Sequence, residues 1–254
     1  MKLVTWNVNG IRAREAQVEE LLAREAPDLV CLQEIKAPAA KVPPPLQAPP
    51  GYHARWHGES AYSGVSLLVR DGAAGAAPAF GHPAFDFETR AVTAEVGGVT
   101  VASLYVPNGG KDFEAKLRFL EALDGWAAAA QAAGRALLLC GDLNVTRAEA
   151  DVHPKERRPG AIGQREDERA LLARLLSRGL TDVGRALDPE NPALFTWWPP
   201  WRGLRQKNVG WRIDYVVASA PLARAATRCA VLPEFGTSDH APVVAEFDWP
   251  PPGA

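Results

Sequence analysis

The sequence predicts an α/β domain, with strands and helices interleaved along one chain. Short apolar runs such as Ala136–Cys140 read as buried strands, being too brief for helices and lacking a polar face. Between them lie amphipathic stretches with helical spacing, and that alternation implies layers of helix on sheet. A chain of 254 residues with 47% hydrophobic content can bury a large core in one domain and is too apolar to be disordered.

A first strand is expected near Lys2–Asn7, followed by a helix from about Arg14 to Ala26 with Val18, Leu21 and Leu22 on one face. Pro27 ends that helix, and Asp28–Gln33 is the second strand. The Pro-rich stretch Ala37–Gly51 reads as a loop. Tyr62–Ser66 (YSGVS) reads as a turn entering a strand at Val65–Val69, with further strands at Ala91–Glu95 and Thr100–Tyr105. Phe113–Ala132 is predicted helical, Ala136–Cys140 a strand and Glu168–Arg178 an amphipathic helix. Strands resume at Asp214–Ala218 and Pro242–Phe247. Residues 1–248 are taken as one domain and 249–254 as a frayed tail.

The chemistry gathers at the strand boundaries. GDLN, Gly141–Asn144, ends the run Ala136–Cys140. In extended chain, residues two apart point to one side, so Asp142 and Asn144 should share a face at the mouth of a sheet. LVTWN delivers Asn7, DLVCLQE delivers Glu34, WRIDYVV opens its strand on Asp214, and TSDHAPVVAEF sets Asp239 and His240 before another. Each is also a residue type that caps and turns use. Their recurrence at apolar boundaries argues for one polar cluster of Asn7, Glu34, Asp142, Asn144, Asp214, Asp239 and His240. Carboxylates, amides and one imidazole without a thiolate suit a hard divalent ion, Mg²⁺ with Mn²⁺ as substitute, acting on a phosphate ester. P-loop, GxGxxG and GxSxG motifs are absent, which leaves nucleotide-triphosphate, dinucleotide and serine-hydrolase readings without support.

The motifs WNVNGIRA, LQE, YSGV, YVPN, GDLNV, NVGWRIDY and SDHAPV, in that order from Lys2 to Phe247, resemble exonuclease III-type apurinic/apyrimidinic endonucleases. These belong to the endonuclease/exonuclease/phosphatase superfamily. The resemblance implies the DNase I-like fold, a four-layer α/β sandwich of two packed mixed β-sheets flanked by helices. It also implies Mg²⁺-dependent cleavage of duplex DNA 5′ to abasic sites, with some 3′→5′ exonuclease and 3′-end-cleaning activity. Glu34 matches the family's main metal carboxylate, with Asn7 and Asp239 near the metal. Asp142 matches the residue that positions or deprotonates water, and Asn144 orients it. His240 matches the phosphate-binding histidine and Asp214 its carboxylate partner. Tyr105 and Asn108 match phosphate-side residues, and Trp197, Trp211 and Ile213 the walls of a sugar pocket. Lys111, Lys207 and Asn208 match further substrate contacts. Asn9 stands where some members carry an Asp.

Net charge is −2, which argues against a protein that coats nucleic acid along its whole surface. The stretch between Asn191 and Ile213 contains no acid, and Arg202, Arg205, Lys207 and Arg212 alternate there with Trp197, Trp198, Trp201 and Trp211. Cations beside aromatics suggest a nucleic-acid surface. Cys31, Cys140 and Cys229 lie in or near apolar runs and read as reduced core thiols. With no signal-peptide pattern and no membrane-length apolar stretch, a cytoplasmic monomer is expected, with double-stranded DNA carrying abasic sites or damaged 3′ ends as its partner.

Overall fold

The structure is a computed structural model that describes residues 1–75 and 77–249. β1 (Lys2–Asn7) is joined to a parallel β2 (Leu29–Gln33) by α1 (Glu15–Glu25). A short α2 (Pro44–Gln47) leads to β3 (Tyr52–His57) and β4 (Val65–Arg70), an antiparallel pair added beside β2. β5 (Ala79–Gly81), β6 (Ala91–Val96) and β7 (Val99–Tyr105) begin the other sheet. There α3 (Phe113–Ala132) connects β7 to a parallel β8 (Ala136–Asp142). α4 (Glu166–Leu176), β9 (Leu180–Asp182), α5 (Val183–Leu187) and β10 (Asp214–Ser219) follow. α6 (Ala220–Arg224), β11 (Ala226–Val231) and β12 (Val243–Phe247) return to the first sheet. The strand orders are β11-β12-β1-β2-β4-β3 and β5-β6-β7-β8-β10-β9.

The central strands read as continuous apolar runs because both of their faces are covered. In β2, Leu29 and Cys31 enter the core between the sheets, while Val30 and Leu32 pack outward with Val18 and Leu21 of α1. In β8, Leu138 and Cys140 face the other sheet, and Leu137 and Leu139 face Phe119 and Leu123 of α3 and Leu172 of α4. The four layers follow: helix, sheet, sheet, helix.

The expected elements are present with boundaries shifted by a few residues. α4 begins at Glu166, and β8 runs on to Asp142, so the Asp of the GDLN motif ends the strand itself. β3, β5, β9 and β11 were not legible, because they are short or partly exposed strands without a clean apolar pattern. The loop expected at Ala37–Gly51 includes α2, pinned by buried Val42 and Leu46. Trp249 packs against the inter-sheet core, and its carbonyl accepts from the Met1 amino group at 3.3 Å. The rest of the expected frayed tail, 250–254, lies outside the described residues. All three cysteines are free, Cys31 and Cys140 buried.

Candidate active site

At one edge of the sandwich the two parallel pairs end side by side, Asn7 opposite Gln33 and Tyr105 opposite Asp142. Asp214 opens β10 directly opposite Asp142, and Asp239 and His240 lead towards β12, the neighbour of β1. Gly141, at φ +139°, makes this convergence possible, since a Cβ there would collide with the Leu104 carbonyl oxygen. Past the strand ends the chain turns sharply. Asn9, Glu34, Lys36 and Asn144 all take φ between 45° and 57°, a costly left-handed conformation for non-glycine residues that tends to cluster at functional sites. Asp142 and Asn144 therefore do share the cleft, but through such a turn: the Asn144 N–H donates to Asp142 Oδ1 at 2.9 Å, and its Nδ2 to the Val106 carbonyl at 2.9 Å.

Asp142, Asp214 and His240 form the buried centre of the edge. His240 Nδ1 donates to Asp214 Oδ2 at 2.9 Å, and Nε2 stands 3.8 Å from Asp142 Oδ2. Thr196 Oγ1 donates to the same Asp214 oxygen at 2.6 Å, while Asp214 Oδ1 is buried without a partner. Burial alone would lower the His240 pKa. The charges of Asp214 and Asp142 and the Asp214 hydrogen bond override it and raise the imidazole to about 10, so it is a cation at neutral pH. Burial pushes Asp142 up to about 7, opposed by the His240 charge and by the Asn7 Nδ2 bond at 2.9 Å. Burial, with the Glu34 and Asp142 charges, holds the Tyr105 phenol well above its usual range, which keeps it a neutral donor.

A cavity of about 370 Å³ opens over this centre. Of the sequence-predicted residues, Glu34, Tyr105, Asn108, Asp142, Asn144, Trp197, Trp211, Ile213, Asp239 and His240 line it. Asn7 and Asp214 sit behind the wall, on Asp142 and His240 respectively. Lys111, Lys207 and Asn208 lie outside the lining. Lys207 bonds the Arg202 carbonyl, and Asn208 accepts from Trp198 Nε1. Trp197 and Trp211 meet edge to face at 5.5 Å between centroids, and Trp197 Nε1 donates to Asp239 Oδ2 at 2.9 Å.

Sequence reading missed Gly110, Ile162 and Gly163, which complete the wall, and the fully buried Lys116–Glu168 ion pair behind the cavity loops. Lys116 Nζ donates to the Asn144 carbonyl at 2.7 Å, and Glu168 accepts from the Gly163 N–H, so the pair holds two cavity loops. Nothing in the spacing of Lys116 and Glu168 along the chain signals this contact. The proposed Arg/Trp surface is also corrected. Trp198 is core, Arg212 is 4% exposed and paired with Asp151 and Asp182, and Arg205 caps the carbonyls of Pro233, Phe235 and Ser238. Trp201 remains exposed.

The donors at the cavity fit a hard divalent ion. Glu34 and Asp239 offer carboxylate oxygens, and Asn9 bridges them by accepting from Lys36 at 2.6 Å and donating to Asp239 at 2.8 Å. Lys36 also pairs with Glu34 at 2.8 Å. The Asp142–Asp214–His240 triad has metal-ligand spacing too. A cationic imidazole with one nitrogen committed to Asp214 has no lone pair to offer an ion. A larger concavity of about 540 Å³, lined by Arg157, Arg158, Arg165 and Arg169 with Glu149 and Asp167, contains none of these groups.

A sequence profile of the Endonuclease/Exonuclease/phosphatase family matches residues 4–240. The chain belongs to this family. An exodeoxyribonuclease of Bacillus subtilis is 34% identical over 96% of this chain and 98% of its own length. A solved structure of the 3′ phosphatase NExo from Neisseria, bound to a product DNA hairpin, superposes with a TM-score of 0.88 at 35% identity, covering 98% of this chain and all of that one. An AP endonuclease from Archaeoglobus fulgidus superposes with a TM-score of 0.85 at 30% identity, covering 98% and 99%. The two packed sheets flanked by helices are the DNase I-like fold expected from the motifs. Among the described residues no helix is long and apolar enough to cross a membrane.

Proposed function

We propose that the protein is a Mg²⁺-dependent DNA-repair phosphodiesterase that cleaves duplex DNA on the 5′ side of abasic sites, with some 3′→5′ exonuclease and 3′-end-cleaning activity. One observation carries this reading: a cationic His, a carboxylate with a pKa of about 7 and a tryptophan-walled recess open into the same 370 Å³ cavity. The resemblances to an exodeoxyribonuclease, a 3′ phosphatase and an AP endonuclease support it.

Asp142 takes the proton of the attacking water at its carboxylate, with a pKa suited to a general base near neutrality. Asn144, its Nδ2 fixed on Val106, presents Oδ1 to that water. His240, held by Asp214 through Nδ1, donates from Nε2 to an oxygen of the scissile phosphate. Its charge is placed where negative charge grows in the transition state. Neutral Tyr105 and Asn108 donate to the same phosphate. A Mg²⁺ ion held by Glu34 and Asp239, with Asn7 beside them, would offset charge on the phosphate and the departing 3′ oxygen. The bond from phosphorus to the 3′ oxygen breaks, that oxygen takes a proton from solvent, and the products are a 3′-hydroxyl and a 5′-deoxyribose phosphate. Trp197, Trp211 and Ile213 admit the extruded sugar, and an abasic site has no base to unstack on the way in. Lys111, Lys207 and Asn208 contact the backbone from outside the cavity. The protein acts as a monomer.

A labelled duplex with one abasic-site analogue tests this, comparing Mg²⁺ with EDTA and wild type with Asp142→Asn. Metal-dependent incision on the 5′ side, lost in the variant, is the expected result. A folded protein that leaves the duplex intact refutes it. Trp211→Ala should weaken discrimination for abasic over intact DNA more than it weakens metal binding. Equal losses on both DNAs would remove the pocket assignment.

A further inference from the structure

Outside the cleft, His57, His82 and Asp86 converge. His57 ends β3, and the other two lie on the connection from β5 to β6. One nitrogen or oxygen from each falls within 4.8 Å of the other two. His57 Nε2 is 2.6 Å from Asp86 Oδ2, and the two imidazole centroids are 3.9 Å apart.

The surrounding backbone orients these groups. Asp86 Oδ1 accepts the N–H groups of Arg90 and Ala91, each at 2.8 Å, which fixes the carboxylate with Oδ2 directed at His57. His82 Nδ1 donates to the Ala91 carbonyl at 3.1 Å, which leaves Nε2 as the ring nitrogen that can offer a lone pair. Outer partners that set the tautomer and ring direction are what metal-ligating His and carboxylate residues usually carry. A His–Asp pair alone accounts for His57 and Asp86. It does not account for an exposed second imidazole tethered to backbone and laid against the first.

We propose that His57, His82 and Asp86 form a second metal site, which takes a borderline divalent transition ion of the Zn²⁺ class. Two imidazoles and one carboxylate match that class, whereas Mg²⁺ prefers oxygen donors throughout. Ligand bonds of about 2.0–2.1 Å in a tetrahedral site set the ligand atoms about 3.3 Å apart. Binding replaces the proton that His57 Nε2 shares with Asp86, which goes to solvent and leaves the neutral ring protonated at Nδ1, widens the His57–Asp86 contact by about 0.7 Å and swings the rings apart. Three protein ligands leave the fourth position to water. The ion joins the end of β3 to the segment bearing Arg90, whose guanidinium lies 4.8 Å from the Tyr105 ring centroid. It thereby stiffens one side of the cleft without touching the reacting atoms.

The test is a Zn²⁺ titration of the full chain against a chromophoric chelator, in excess Mg²⁺, with Co²⁺ absorption spectra as a second readout. Wild type and Glu34→Gln should each bind a single tight equivalent. His82→Ala and Asp86→Asn should bind about tenfold or more weakly and lose the tetrahedral Co²⁺ bands. His82 is exposed, so its variant tests the site without disturbing the core, and circular dichroism checks that it is folded. Unchanged binding in His82→Ala overturns the proposal, as does the absence of a tight equivalent in wild type. Loss of the equivalent in Glu34→Gln alone also overturns it, by placing the ion in the cleft.

Discussion

Two buried charge clusters flank a single short segment, and they are built to opposite plans. Arg212 donates to Asp151 at 2.8 and 3.0 Å and to Asp182 at 2.9 and 2.7 Å. Arg185 adds a bond to Asp151 at 2.7 Å, and Arg147 pairs with Asp182 at 3.5 Å. There, guanidinium groups outnumber carboxylates and every carboxylate oxygen has a partner. Two residues on, Asp214 joins Asp142 and His240, where two carboxylates share one imidazole and Asp214 Oδ1 has no partner. The titration behaviour diverges accordingly. Burial alone would raise Asp151, but Arg212 and Arg185 hold it below its usual range, whereas burial lifts Asp142 to about 7. Buried carboxylates outnumbered by guanidinium groups stay ionised and hold loops together. Buried carboxylates that outnumber their one cation at a cavity leave a group poised to exchange a proton.

That contrast can be broken most sharply at Asp142. Asp142→Asn should reduce single-turnover cleavage by about 10²–10⁴-fold, while calorimetry shows an unchanged or raised melting point, since a poorly compensated buried charge is gone. A large drop in melting point would put Asp142 with the architectural cluster. Arg212→Ala should do the reverse. Denaturant unfolding should show a loss of about 3–5 kcal/mol, because Asp151 and Asp182 are left buried without their main partner, and cleavage by the remaining folded protein should stay within a few-fold of wild type. Retained stability would mean those ion pairs are dispensable.

Smaller effects sharpen the picture through pH. His240 is raised above its unfolded value of about 6.5, so its contribution to stability is full below that pH and is lost as pH rises through about 10. Asp214→Asn removes the main charge holding it there. The alkaline limb of the rate profile and the alkaline fall in melting point should both move to lower pH in that variant, and an unmoved limb would separate His240 from Asp214. At the acid end, protonation of Asp142 removes the base. Wild-type cleavage at saturating metal should fall as pH drops through about 7, and a rate flat from pH 8 to pH 5 would exclude Asp142 from proton transfer.

The central strands were legible because burial on both faces writes itself into contiguous residues such as Leu137–Cys140. Edge strands such as β3 lack that signature. The strand-end acids, amides and histidine were legible because an ionisable group closing an apolar run needs a reason to be there, and the structure brings Glu34, Asp142, Asn144, Asp239 and His240 to one cavity. Arg212 and Trp198 misled because a charge or aromatic in a polar loop looks the same whether it faces solvent or a buried partner.

By itself, then, the sequence determined the alternation of strands and helices and the chemical character of the residues where strands end, because both depend on neighbours along the chain. Only the tertiary structure decided which charges are paired. Asp151 and Asp214 are the same residue type, yet one is held down by Arg212 and the other holds up His240. A pKa depends on burial and on charges a few ångströms away through space, and those neighbours lie at unrelated positions in the chain.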